Sequence, residues 1–184
     1  QNHDDHGHDV HSGVNPHAWM EPQNAILWLD QIADQLSRLD GENASVYGEN
    51  AMIAKTKIAQ MDAQLAVALA PVRDRAFVTY HDAYGYFVAH YGLRFAGSIA
   101  MGDATTAGAA HIQQLQSTIA KDVVCVFPEA QHDSDLLLQL LDGTSVRAGR
   151  ALDPVGSTFD AGQDTYDVLM RSIAESLANC LSGA

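Results

Sequence analysis

The sequence predicts an α/β fold: a four-stranded, mainly parallel sheet flanked by helices and preceded by a long linker helix. Three observations carry that prediction. From residue 75 onward, short apolar and β-branched runs alternate with helical stretches, the pattern of βαβ crossovers. The run VVCVF at 123–127 is apolar throughout rather than alternating, as a strand covered on both faces must be. The first 72 residues, in contrast, carry helical periodicity and no strand.

Taken in order, residues 1–13 hold almost no apolar side chains and read as a solvated, flexible arm. Over 21–39, Ile26, Leu29, Ile32, Ala33, Leu36 and Leu39 recur at threes and fours, Pro22 sits in the first turn, and Asp40-Gly41 is the stop. Over 45–69, Ile53, Ile58, Met61, Leu65 and Leu69 continue the helical period up to Pro71. That helix would span about 37 Å, enough to act as a strut between lobes. The period then changes. RAFVTY (75–80), LRFAGSIA (93–100), DVVCVFPE (122–129) and TSVRAGRAL (144–152) read as strands, and the segments 83–90, 107–120, 134–141 and 165–181 as the helices that follow them.

Composition narrows the function. Ten Lys and Arg against 23 Asp and Glu give a net charge of −13, which repels nucleic acid and anionic membranes while concentrating cations. No run approaches the roughly 18 apolar residues of a membrane span, and no leader pattern opens the chain, so the sequence suits either a cytosolic protein or one whose signal has been removed. Cys125 lies in the most buried strand and Cys180 in the last helix. Their spacing is neither that of a zinc knuckle nor of a redox CxxC, and both a disulfide and two buried thiols fit it.

In open parallel sheets, ligands bind beyond the carboxyl ends of the strands. That rule puts His81-Asp82, Pro128-Glu129 and Asp153-Pro154 on one edge. His17, in NPHAW just before a helix, reaches the same cleft if the strut folds back across the lobe. Imidazoles with one carboxylate are a ligand set for zinc and its borderline neighbours, although 64 residues between His17 and His81 and 72 more to Asp153 fit no local metal motif. His90, His111 and His132 read as residues of solvated faces, and Glu129, harder to dismiss after a central strand, still reads more as a helix N-terminal acid than as a functional one. There is no GxSxG elbow, no GxGxxG or GxxxxGK[ST] after a strand, and no cysteine placed as a nucleophile, which favours binding over catalysis.

NPHAWMEPQNA, HDAYGYF with its following YGL, CVFPEAQ, GTSVRAGRALDPVG, TYDVLM and ANCLSGA occur in this order. Together they resemble the cluster A-I (cluster 9) substrate-binding proteins of metal ABC transporters, in particular the periplasmic zinc-binding members, over nearly all of residues 14–184. The resemblance implies that His17 and His81 are two zinc-binding histidines on either side of an interlobe cleft, that Asp153 or a water completes the site, and that Cys125 and Cys180 form a disulfide in an oxidising compartment. Manganese-binding relatives tend to carry a carboxylate where His81 stands, and nitrogen favours zinc. QNHDDHGHDVHSG resembles the end of a His- and Asp-rich loop that captures zinc weakly or delivers it to the high-affinity site, which gives the first four histidines a role apart from that of His17. Nothing matches the family's N-terminal lobe. The implied division is therefore 1–13 as the His/Asp-rich segment, 14–72 as the end of that lobe with the connecting helix, and 73–184 as the C-terminal α/β lobe.

The function so implied is high-affinity Zn²⁺ capture in the periplasm and delivery to an ABC permease in the inner membrane, without catalysis, nucleic acid or membrane insertion. The alternatives are a receptor for manganese or another divalent metal, a zinc-dependent hydrolase using the same three residues with a bound water, and a structural or adhesin-like role without metal. Histidine ligation also implies zinc affinity that falls as pH drops through about 6.5, because ligating imidazoles must be neutral.

Overall fold

The computed structural model describes residues 15–100 and 108–183, so the expected arm at 1–13 and the first residue of the helix expected from 107 lie outside the described residues. Chain order is a 3₁₀ turn Ala18–Met20, α1 Pro22–Leu39, α2 Ala44–Leu69, β1 Ala76–His81, α3 Gly85–Tyr91, β2 Phe95–Ala100, α4 Ala109–Asp122, β3 Val123–Phe127, α5 Asp135–Leu141, β4 Arg147–Ala148 and α6 Thr165–Ser182. The strands form one sheet in the order β2-β1-β3-β4, with every pair parallel. All strand carboxyl ends therefore open on one edge.

Successive residues of a strand point to opposite faces, and both faces here are covered. Phe77, Cys125 and Phe127 pack with Met61, Leu65 and Leu69 of α2, Phe87 and Tyr91 of α3, and Leu169, Met170, Ile173 and Leu177 of α6. Val78, Ile99 and Val126 pack on the other side with Leu115 and Ile119 of α4 and Leu137 and Leu140 of α5. A Cys125–Cys180 disulfide joins the central strand β3 to α6.

The two leading helices are bound less evenly. Pro22 opens α1, where Glu21 caps the Gln23 amide at 3.3 Å. The 26 residues of α2 extend about 39 Å, and only its C-terminal half buries a stripe, Met61, Leu65 and Leu69. Among the described residues of α1 only Pro22 is buried. Leu27, Trp28, Ile32 and Leu36 are exposed, and Leu39 is 84% exposed. The start of α1 is tied down by His90, which the sequence suggested was solvated. Its Nδ1 lies 2.8 Å from Glu21 Oε1 and its Nε2 2.7 Å from Asp62 Oδ1, so one imidazole links α1, α2 and α3.

The fourth strand departs from expectation, its ladder covering 147–148 rather than 144–152. Thr144 is drawn into the turn after α5, its amide donating to Leu141 O at 3.0 Å. Gly149 donates to Val126 O at 2.9 Å, where a Cβ would overlap the Phe127 ring. Arg150 then turns toward α6 to reach Ser176. Pairing resumes only at an isolated Glu129–Leu152 bridge. An edge strand that bends at a close backbone approach loses its ladder there, although the chain keeps its direction to Asp153.

Candidate metal centre

β1 delivers His81 to the open edge of the sheet, and Thr79 Oγ1 donates to the His81 carbonyl at 2.8 Å to fix the exit. β3 delivers Glu129 through Pro128, and the Glu129–Leu152 bridge brings Asp153 alongside. His17 arrives from the other direction, on the segment that caps the 3₁₀ turn ahead of α1. That segment is anchored by Trp19, whose Nε1 donates to Pro154 O at 2.9 Å and whose carbonyl accepts from Tyr166 Oη at 2.9 Å. Asn15 packs against Gly85 at the start of α3, where a Cβ would press on the Asn15 amide.

These anchors bring together two histidines 64 residues apart. His17 Nε2 and His81 Nε2 lie 3.4 Å from each other, with both residues buried. On His17 the opposite nitrogen, Nδ1, lies 3.0 Å from Asn15 Oδ1, which also accepts from the His17 amide at 2.9 Å. On His81, Nδ1 lies 2.5 Å from Glu129 Oε2. Amide and carboxylate oxygens only accept, so in the neutral rings that metal ligation requires both Nδ1 atoms donate and both Nε2 atoms are left to ligate. Two nitrogens held about 2.05 Å from a tetrahedral Zn²⁺ would stand about 3.3 Å apart, close to the spacing observed. The second ring nitrogen held by an oxygen is the support that orients ligating histidines and raises their basicity.

Asp153 stands at the neighbouring strand end, with its carboxylate already engaged. Oδ1 accepts from Gln131 Nε2, Val155 N and Gly156 N, and Oδ2 from Thr158 N, Thr158 Oγ1 and Ser157 Oγ, at 2.6–3.4 Å. Burial pushes the carboxyl up, but the bonds from Thr158, Gln131 and Ser157 outweigh it and hold the group at about 2. Tyr84 is buried nearby, its hydroxyl without a hydrogen-bond partner among the described residues. Burial, then the charges of Glu129 and Asp153, raise that phenol well above its ordinary value.

The sequence missed two participants. Glu129, read as a helix cap, is buried at the exit of β3 and paired to His81. His132, read as solvated, stacks on Tyr80 with ring centroids 4.4 Å apart and points its Nε2 at Glu129 Oε1, 3.7 Å away. His81, Glu129 and His132 each offer a donor atom within 4.8 Å of the others. The available signal was Glu129-x-x-His132 directly after the most buried strand, since a turn there returns the fourth residue over the first.

Comparison with known proteins points the same way. A family model described as zinc-uptake complex component A, periplasmic, matches residues 1–180. The chain is 45% identical over 171 residues to the high-affinity zinc uptake system protein ZnuA of Paracoccus denitrificans, covering 92% of this chain and 52% of that protein. It is 39% identical over 167 residues to the protein of the same name from Brucella suis, covering 90% of this chain and 50% of the relative. The periplasmic zinc binding protein TroA from Treponema pallidum superposes with a TM-score of 0.82 at 22% identity, over 92% of this chain and 65% of that one, and so shares the fold. The chain spans about half the length of the curated relatives it matches. It belongs to the ZnuA family of periplasmic zinc-uptake components.

Proposed function

We propose that this chain is part of a periplasmic receptor that captures Zn²⁺ and hands it to the permease of an ABC uptake system. The observation that carries the reading is the pair of Nε2 atoms 3.4 Å apart in a buried site, each ring held from behind by an oxygen. The ion is cargo, so the site must bind selectively and let go. Two imidazoles favour zinc over manganese and the alkaline-earth ions, and a site between the sheet edge and the segment before α1 opens if those two parts separate. The names of the relatives, zinc uptake system proteins rather than enzymes, support binding without catalysis.

In this reading His17 and His81 are ligands. Asp153 supplies a carboxylate oxygen only by giving up some of the donors that hold it, and otherwise a metal-bound water takes the place. The rest of a protein of the relatives' length would add the remaining ligand and cover the exposed face of α1. The test is calorimetric titration with Zn²⁺. Tight binding of the first equivalent that is lost in His81→Ala and in His17→Ala, with the circular dichroism spectrum unchanged and only weaker binding left, supports the reading; tight first-equivalent binding that survives both substitutions refutes it.

A further inference from the structure

We propose that Glu129 Oε1 and His132 Nε2 form a second, outer position for a borderline divalent cation such as Zn²⁺, between solvent and the His17–His81 pair. As a way station this rests on the reading of the inner pair as a zinc site; as a binding position it does not.

The turn after β3 builds the site. The His132 amide donates to Glu129 O at 3.2 Å, closing a turn that brings the fourth residue back over the first. The turn is pinned from the side by Ala130 N to Leu152 O and Leu152 N to Pro128 O, both at 2.9 Å, and by Gln131 reaching Asp153. Tyr80 stacks on the His132 ring at an interplanar angle of 18°, which fixes its plane. The Oε1–Nε2 separation of 3.7 Å is too long for a hydrogen bond. It suits two donors of one ion, each about 2.0–2.2 Å from it.

Exposure falls along the row: the His132 side chain is 28% exposed, that of Glu129 4% and that of His81 3%. A cation arriving from water meets His132 first. The carboxylate is shared, Oε2 holding His81 Nδ1 while Oε1 faces the outer position. An ion at the outer position draws on the negative charge that supports His81, and two dications a few ångströms apart repel. The outer position is therefore the weaker one and releases its ion more readily once the inner pair is filled.

The test is residue-resolved imidazole ¹⁵N NMR of the chain titrated with Zn²⁺, in which each ring, including His3, His6, His8 and His11, reports separately. His17 and His81 Nε2 should respond to the first equivalent and His132 Nε2 to a later one, with affinity about 10- to 100-fold weaker, the scale on which a supporting partner changes metal binding. His132→Phe keeps the stack on Tyr80 and should abolish only the later event. In His17→Ala the His132 response should persist. A His132 signal unmoved by excess zinc while His17 and His81 respond overturns the outer position and leaves the receptor reading intact. A His132 response without any from His17 or His81 overturns the receptor reading and leaves the outer position standing.

Discussion

The sheet and the two leading helices solve the same problem differently. The sheet covers both its faces from within the chain, with Phe77, Cys125 and Phe127 against α2, α3 and α6, and Val78, Ile99 and Val126 against α4 and α5. α1 holds an equally regular apolar pattern yet leaves Leu27, Ile32, Leu36 and Leu39 in water. Hydrophobic periodicity thus specifies a helical face in both regions, but among the described residues that face is well covered in the sheet region and only partly covered on α1. The proposed metal site spans the boundary, His81 and Glu129 belonging to the self-sufficient part and His17 to the other.

If that contrast is right, the largest stability effect falls in the sheet region. Reducing the Cys125–Cys180 bond, or replacing both residues by serine, should cost about 4 kcal/mol from the loop it closes, read as a drop in melting temperature. Met61→Ala, which opens a cavity where α2 meets α6, should cost about 2–5 kcal/mol in denaturant unfolding. Ile32→Glu, on the exposed face of α1, should change stability by less than about 0.5 kcal/mol in this chain. An effect of Ile32→Glu as large as that of Met61→Ala would mean that the α1 face is already buried in solution.

The same boundary can be probed at the site. Glu129→Gln leaves the fold in place but weakens the acceptor behind His81, and should lower Zn²⁺ affinity about 10- to 100-fold by calorimetry. Asp153 acts on stability through pH. Its folded value of about 2 lies below the ordinary carboxylate value of about 3.9, so its contribution is complete above about pH 4 and is lost as pH falls toward 2. Asp153→Asn should flatten that part of the acid-unfolding curve and leave the region above pH 5 parallel to that of the parent.

Much of this architecture was legible in the sequence because it depends on period. Apolar residues at threes and fours located α1, α2 and α6 to within a residue or two, and an unbroken apolar run located β3. The sheet-edge rule then placed His81, Glu129 and Asp153 together, the NPHAW setting made His17 a candidate for the same cleft, and the family resemblance implied the disulfide. What period cannot show is contact between distant side chains. The shortening of β4 accompanies a close approach of Gly149 to Phe127, 22 residues away, where only glycine fits. The bridging of Glu21 and Asp62 by His90, and the stacking of His132 on Tyr80, likewise join elements whose docking no local pattern records.

The most direct test of the account is anomalous scattering at the zinc edge from crystals of this chain grown with Zn²⁺. The expected peak lies between His17 and His81, about 2.1 Å from each Nε2. A peak that contacts only one of these rings, or zinc bound solely at other histidines while the two Nε2 atoms remain 3.4 Å apart, would contradict it.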